Sequence, residues 1–193
     1  MSYSIYMVDK DTGEDLCLKT ARFMVNAAMP VHIDPATGKF VEDAQEDASA
    51  IITYNYAKYF YEAGEGDDRF LKEWRGNIKN VGIRVIYGLS GAESLPILSD
   101  MVKRIEEKYK TNGNWIVTKR IKSHYYDKNG KKITTPGSFI LSHEEIKEVK
   151  EKYTISEGDT SDYWEATAAN AITALKNLMH IAIELPDGIW KGD

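Results

Sequence analysis

The 193-residue chain contains one cysteine, Cys17, so it cannot form an internal disulfide. That cysteine usage fits a reducing compartment. The first ten residues lack the basic and apolar regions of a secretory signal. No apolar run approaches the ~18 residues that a membrane-spanning helix needs. We therefore expect a soluble protein in the cytoplasm, with no membrane partner.

The chain also lacks the sequence patterns of common catalytic and metal sites. Its histidines are scattered, and neither His-x-x-x-His nor Cys-x-x-Cys spacing occurs; they are His32, His124, His143 and His180. No Walker A motif or three-glycine dinucleotide fingerprint is present. We therefore predict no catalytic residues, no metal and no cofactor. A hydrolase that uses Asp162, Glu165 or Asp187 is the weaker alternative.

Charge is distributed unevenly along the chain. The formal net charge is -5, yet residues 118–132 hold six cations and one anion, so that this segment is +5 and the remainder is -10. Cations interleaved with aromatic side chains suit phosphate contact and base stacking. Lysine-rich hairpins also arise as solvated edges that prevent strand aggregation. Nucleic acid is therefore a secondary candidate partner, through the 118–132 hairpin.

Periodicity and turn signals predict one α+β domain, with a mainly helical core and attached β-hairpins. Hairpins are expected at residues 3–18, at 31–41 around a turn at 34–38, and around the Asp-Lys-Asn-Gly turn at 127–130. Helices are expected from about 47 to 64, 67 to 80, 144 to 153 and 161 to 185, with another after residue 88. Residues 82–88 fit a strand or a single apolar turn. The resulting regions are 1–48 (hairpins), 49–110 (helical core), 111–160 (basic hairpin and surface helix, a candidate insertion) and 161–193 (last helix and tail).

The stretch Tyr87-Gly-Leu-Ser-Gly-Ala-Glu-Ser-Leu-Pro96 allows two helix starts. Ser90 and Glu93 spell a capping box, which would place Pro96 in the second turn. A start at Ser94 places Pro96 in the first turn and leaves a loop whose amides could hold an anion. Glu93 would repel such an anion, so an ordinary helix start is favoured.

Thr53-Tyr-Asn-Tyr56 is unusual inside an expected helix. Asn55 would lie on the apolar side, where it needs a buried partner. Asn and Tyr on one helix could line a polar pocket and stack a planar ligand. Alternatively, Asn55 binds a nearby loop carbonyl, and this structural interpretation is favoured.

Several stretches together resemble a family of small proteins encoded by bacteriophages and prophages. They are Ile52-Thr-Tyr-Asn-Tyr56, Gly82-Ile-Arg-Val-Ile-Tyr-Gly88, Gly91-Ala-Glu-Ser-Leu-Pro96, Asp162-Tyr-Trp-Glu-Ala-Thr167 with Asn170-Ala, and Pro186-Asp-Gly-Ile-Trp-Lys-Gly-Asp193. Residues 20–48 depart from the pattern, and the basic hairpin looks like an addition to it. The resemblance implies a phage protein acting in the host cytoplasm and carries no activity over.

We therefore expect a non-enzymatic binding protein, which by analogy with phage accessory proteins counters host defence. Its partner would be a small anionic, nucleotide-like ligand, which it sequesters, or a host protein, which it inhibits. The last helix is expected to place Trp164 on a wide apolar face and Asn170 on the opposite polar face, and to stop at Pro186-Asp-Gly188. That wide apolar face makes a homo-oligomer a further expectation. The predicted ligand-binding residues are Tyr54, Asn55, Tyr56, Arg84, Tyr87, Ser90, Gly91, Ser94, Arg120 and Lys122.

Overall fold

A computed structural model describes residues 2–18, 46–74, 76–133 and 147–192 of the chain. Its helices are α1 (Ala57–Ala63), α2 (Gly91–Tyr109) and α3 (Ala168–Glu184). Its strands are β1 (Ser2–Val8), β2 (Cys17–Leu18), β3 (Glu46–Asp47), β4 (Ser49–Thr53), β5 (Leu71–Trp74), β6 (Asn77–Asn80), β7 (Lys110–Thr111), β8 (Asn114–Trp115), β9 (Val117–Tyr126), β10 (Lys132–Ile133), β11 (Lys147–Ser156) and β12 (Ile189–Gly192). The fold is α+β, as predicted.

The central sheet is antiparallel and has the order β12-β1-β4. Alternate residues of β1 (Tyr3, Ile5 and Met7) are buried, as expected for a strand with one face on the core. The chain reverses at the predicted turn after Val8, and the Leu16 amide returns to donate to the Met7 carbonyl. Beyond that turn, β2 pairs with β3 rather than with β1, so only part of the predicted hairpin is a ladder.

Helices α2 and α3 pack against each other beside this sheet. A methyl group built on Gly91 would lie 2.4 Å from the Leu185 carbonyl oxygen, so only glycine allows this approach. The wide apolar face of α3 is buried within the chain, against α2 and β4. The surface that motivated the homo-oligomer expectation is therefore already covered inside one chain.

The start of α2 is set by the capping box. The Ser90 hydroxyl accepts from the Glu93 amide, and the Glu93 carboxylate accepts from the Ser90 amide. Pro96 lies inside the helix, so the alternative start at Ser94 is wrong. Just before it, residues 82–86 form a buried 3-10 turn, which decides the ambiguous 82–88 stretch in favour of an apolar turn.

Three predicted helices contain strands instead. Ser49–Thr53 forms β4, because its β-branched residues favour a strand and the segment pairs with β1. Of the helix predicted over 47–64, residues 57–63 form α1, which stops at Gly64 as predicted. β5 and β6 pair as an antiparallel hairpin, with Gly76 at φ 75° just before β6. Residues 147–156 form β11 because they pair along the whole of β9.

The last helix is shorter than predicted. It begins after Thr167, whose hydroxyl accepts from the Asn170 amide, so residues 161–167 precede it. Asn170 is buried rather than on the polar face, and Trp164 is 65% exposed rather than on the apolar one. The expected stop at residues 186–188 is confirmed. Trp190 folds back into the core on β12.

The basic hairpin turns at residues 127–130 as predicted, with β10 returning beside β9. The predicted hairpin at 31–41 and the cap of the 144–153 helix lie outside the described residues. Within the described ranges, no helix is long and apolar enough to cross a membrane.

Candidate functional site

The 3-10 turn at residues 82–86 positions one cation at the surface. Ile83, Val85 and Ile86 are buried in the core, and Gly82 packs against Phe60 and Tyr61 with φ 56°. Arg84, in the same turn, is half-buried, and its guanidinium lies over the Tyr3 ring. The buried residues of the turn thus anchor the backbone that carries Arg84.

Two tyrosines hold the Arg84 side chain. Its guanidinium carbon lies 4.8 Å from the centre of the Tyr3 ring and 5.8 Å from that of Tyr54, both within cation–π range. Its Nη2 donates to the Tyr54 hydroxyl at 3.1 Å. The two rings meet edge to face at 4.3 Å. Burial, with help from neighbouring Tyr61, raises the pKa of Tyr3, so this hydroxyl remains neutral.

The β5–β6 hairpin contributes further cations beside Arg84. Lys72 and Lys79 are directly opposite in the antiparallel ladder, so their side chains share one face, where like charges repel. Lys72 Nζ donates to the Val85 carbonyl at 3.1 Å, which brings this face against the Arg84 turn. Three cations therefore gather on this side of the molecule.

Asn80 joins the hairpin to the turn. Its Nδ2 donates to the Tyr61 carbonyl at 2.8 Å, and its Oδ1 accepts from the Gly82 amide at 2.9 Å. Both ends of the side-chain amide are thus used for structure. The hairpin is fixed relative to Arg84 by these bonds.

A cleft of about 260 Å³ lies between these elements. The described residues that line it are Tyr61, Lys79, Asn80, Val81 and Arg84. They include two cations and no carboxylate, and Tyr61 is 39% exposed. The lining therefore combines positive charge with an exposed aromatic side chain, the groups that suit an anion carrying a planar ring.

Of the ten predicted site residues, the structure brings Tyr54 and Arg84 together. Asn55 is exposed rather than buried, and its Nδ2 donates to the Trp164 carbonyl at 2.7 Å. Tyr56 is buried, and its hydroxyl donates to the Tyr163 carbonyl. Asn55 and Tyr56 therefore attach the 162–167 segment to the body, in line with the structural interpretation. The Tyr87 hydroxyl lies against Gly192. Burial lowers the pKa of Arg84, yet Tyr87 joins Tyr3 and Tyr54 in raising that pKa above its ordinary value.

The amides at the start of α2 are all engaged within the chain. Gly91 donates to the Gly188 carbonyl and Ala92 to the Pro186 carbonyl, while Ser94 donates to the Ser90 carbonyl inside the helix. The Glu93 amide is bonded to the Ser90 side chain. These bonds leave no amide of this turn to receive an anion, so we leave Ser90, Gly91 and Ser94 out of the proposed site.

Arg120 and Lys122 lie on β9, in different surroundings. Arg120 Nη2 donates to Glu157 Oε1 at 2.9 Å and to the Tyr59 hydroxyl at 2.8 Å. Lys122 is exposed. Arg120 therefore has a structural role at the base of the β9–β11 ladder.

Glu157 is the buried centre of that base. Its Oε1 also accepts from the Thr118 hydroxyl at 2.8 Å, and its Oε2 accepts from the Tyr59 hydroxyl at 2.7 Å and the Ala168 amide at 2.9 Å. Burial alone would raise its pKa, yet the bonds from Tyr59, Thr118 and Arg120 lower it below the ordinary value. The carboxylate is saturated with donors and joins β9, α1 and the first turn of α3.

Two of the three carboxylates considered for a hydrolase, Asp162 and Glu165, have structural partners. Asp162 accepts from the Trp164 amide, and Glu165 accepts from the Tyr153 hydroxyl at 2.6 Å. Both precede α3 rather than lying in its first turn. Among the residues that the structure describes, no group of three His, Cys, Asp or Glu side chains is placed to hold a metal ion.

Sequence analysis missed Tyr61, Lys79 and Asn80. The predictions placed Tyr61 on a helix over 47–64 and Lys79 and Asn80 on a separate helix over 67–80, so nothing brought the three side chains together. The Arg-Gly-Asn sequence at 75–77 could have indicated the β5–β6 hairpin, because glycine between two short runs of strand-compatible residues is typical of a tight hairpin turn.

Comparisons with known proteins yielded no family assignment. No family model matches the chain, and no curated protein or solved structure shows significant similarity to it.

Proposed function

We propose that this chain is a non-enzymatic binding protein whose cleft beside Arg84 takes a small anion carrying a planar group, such as a nucleotide. The observation that carries the proposal is the lining: Arg84 and Lys79 with an exposed Tyr61 ring, and no carboxylate among the described lining residues. A site of this composition attracts negative charge and offers a flat surface for stacking.

The cleft is prepared before a ligand arrives. Arg84 is held by Tyr3 and Tyr54, and the hairpin that carries Lys79 is fixed through Asn80. Side chains that are already ordered lose less conformational entropy on binding. The volume of about 260 Å³ lies just below the ~300–1,000 Å³ of typical ligand sites, which favours a small ligand.

The resemblance to bacteriophage proteins supports a biological role for such binding. A phage protein that retains a small signalling nucleotide without converting it would withdraw that signal from a host defence system. Such sequestration requires a high-affinity cleft and no catalytic group. The described residues of the lining supply groups for binding and include no Ser, Cys, His, Asp or Glu.

A thermal-shift panel tests the proposal. It should include mononucleotides, cyclic nucleotides and ADP-ribose-type compounds, with inorganic phosphate and uncharged nucleosides as controls. We expect at least one nucleotide to raise the melting temperature more than phosphate or the matching nucleoside does, because the site contacts both the charge and the ring. A flat response across the panel with folded protein would rule out this function.

A further inference from the structure

A strongly basic β-ribbon forms a second surface, separate from the cleft. We define the ribbon as residues 117–133 and 147–156, in which β9 and β11 pair over ten consecutive positions. These residues hold nine Lys and Arg against three Asp and Glu, a net charge of +6. Because the whole chain is -5, the remainder is -11.

Nearly all of this positive charge faces solvent. Arg120 is used at the base of the ribbon by Glu157, whereas every lysine of the ribbon is exposed: Lys119, Lys122, Lys128, Lys131, Lys132, Lys147, Lys150 and Lys152. A charge-rich edge strand can have no role beyond preventing strand-to-strand aggregation. Here, however, the lysines of β9 and β11 together extend from the Lys147–Tyr126 pair to the Lys119–Thr154 pair of the ladder.

The three acidic residues of the ribbon have partners within it. The Asp127 carboxylate accepts from the Asn129 and Lys131 amides in the turn. Glu148 accepts from the Ser123 hydroxyl at 2.6 Å, and Glu151 pairs with His124 at 3.0 Å. These bonds direct the carboxylates to neighbours inside the ribbon, so the lysines dominate its outward electrostatic potential.

The strand register places lysines on both faces. Paired residues share a face, so Lys122, Lys132 and Lys147 lie on the side of Arg120, and Lys119, Lys150 and Lys152 lie on the opposite side. A flat acidic surface could contact only one of these faces. Two facing walls of negative charge would contact both.

We propose that the ribbon docks onto double-stranded DNA, with the two phosphate backbones of the major groove as those walls. The major groove of B-form DNA is about 12 Å wide and admits a two-stranded β-ribbon. The ribbon has two strands over 117–124 and 149–156, because β10 pairs with Tyr125 and Tyr126 at the turn end. Ten residue pairs extend roughly 33 Å, which is close to one helical turn of DNA. The deep, narrow major groove of A-form RNA does not admit side chains, so duplex RNA fits this geometry less well.

The test is fluorescence anisotropy with a labelled 20-base-pair DNA duplex, between about 50 and 200 mM salt. The ribbon variant carries Lys119→Gln, Lys122→Gln, Lys150→Gln and Lys152→Gln. The matched control carries Lys10→Gln, Lys103→Gln, Lys176→Gln and Lys191→Gln, which are exposed and outside the ribbon. Both variants change the net charge equally, and circular dichroism checks that both are folded.

We expect the ribbon variant to bind at least about tenfold more weakly at 100 mM salt, and the control to stay within about twofold of wild type. The slope of log K against log salt should become shallower by about 0.9 for each DNA phosphate that the variant no longer neutralises. Duplex RNA and poly-glutamate should bind the wild type more weakly than duplex DNA does.

Three results would overturn the proposal: no DNA binding by the wild type at 50 mM salt, equal weakening in the two variants, or equal or tighter binding of poly-glutamate or duplex RNA. Tighter binding of poly-glutamate would instead indicate an acidic protein, tighter binding of duplex RNA would indicate RNA, and equal binding would indicate a nonspecific polyanion. Since the cleft residues are unchanged in both variants, these outcomes are independent of the nucleotide panel.

Discussion

Glu157 and Arg120 form an ion pair of 2.9 Å in which the glutamate side chain is only 1% exposed. The pair joins the basic ribbon to the core, because Glu157 also binds Tyr59 on α1 and the Ala168 amide of α3. The buried Glu157 carboxylate accepts hydrogen bonds from four donors. Its removal would leave Arg120 without its main partner. The stability of the whole molecule should therefore depend on this one side chain.

Replacing Glu157 with Gln should lower the free energy of unfolding at pH 7 by about 3 kcal/mol, because one partner of a buried ion pair is removed. Urea unfolding followed by circular dichroism measures this change. Glu107→Gln is the control, since Glu107 is exposed and lies 3.8 Å from exposed Lys103, and it should change stability by less than about 0.5 kcal/mol. Equal effects of the two substitutions would contradict the structural role of Glu157.

The same residue predicts an acid dependence of stability. The pKa of Glu157 lies below its ordinary value of 4.5 in the folded state, so the unfolded chain takes up a proton first as the pH falls. Its contribution is present above pH 4.5 and is lost as the pH falls through the folded pKa. The stability difference between wild type and Glu157→Gln should therefore narrow from pH 5 downward, and a constant difference would argue against this titration.

Trp190 and Ser94 form a buried hydrogen bond that locks the C-terminal strand onto α2, with Nε1 donating to Oγ at 2.8 Å. Ser94→Ala leaves the indole N–H without this acceptor and should cost about 1–3 kcal/mol. In a double-mutant cycle with Trp190→Phe, the serine substitution should cost less, because the donor is already gone. Strictly additive effects in urea unfolding would show that the bond contributes nothing.

The buried tyrosines predict how the protein behaves in alkali. Burial raises the pKa of several of the twelve tyrosines above the ordinary value of about 10, and that of Tyr153, which bonds Glu165, to about 12. The others are Tyr3, Tyr56, Tyr59, Tyr109 and Tyr163. Their stabilising contribution is complete below pH 10 and is lost as the pH rises through the folded pKa values.

Ultraviolet absorbance at about pH 11 should therefore show only part of the tyrosine ionisation in the folded protein. Urea should release the remainder, and Tyr153→Phe should reduce the ionisation that occurs near pH 12. Complete ionisation of the folded protein at pH 11 would contradict the burial of these hydroxyls.

Local signals predicted the parts of the fold that local chemistry decides. The capping box at Ser90 and Glu93, the Asp127–Gly130 turn and the stop at Pro186–Gly188 each depend on a few adjacent residues. The sequence also grouped Tyr54, Asn55 and Tyr56 with Arg84. Tyr54 bonds Arg84, whereas Asn55 and Tyr56 bond the 162–167 segment.

Elements decided by long-range pairing were not predictable in this way. Lys147–Ser156 carries charges that suit an exposed helix equally well, and pairing with β9 selects the strand. Asn170 fell on the polar side of a helical wheel, yet its Nδ2 donates to the carbonyls of Asp162 and Glu165 in the preceding segment. The cleft is lined partly by the β5–β6 hairpin. Because that hairpin was predicted as a helix, its residues Lys79 and Asn80 were not predicted as cleft residues.

Isothermal titration calorimetry tests the central claim, that the Arg84 cleft binds a small planar anion, most directly. The titrant is the nucleotide with the largest thermal shift, added to wild type, Lys79→Gln and Lys176→Gln, the last being an exposed lysine on α3 that does not line the cleft. We predict that Lys79→Gln weakens binding about tenfold, equivalent to about 1.4 kcal/mol, while Lys176→Gln matches wild type. The same dissociation constant for all three proteins, or no heat of binding to wild type, would contradict the account.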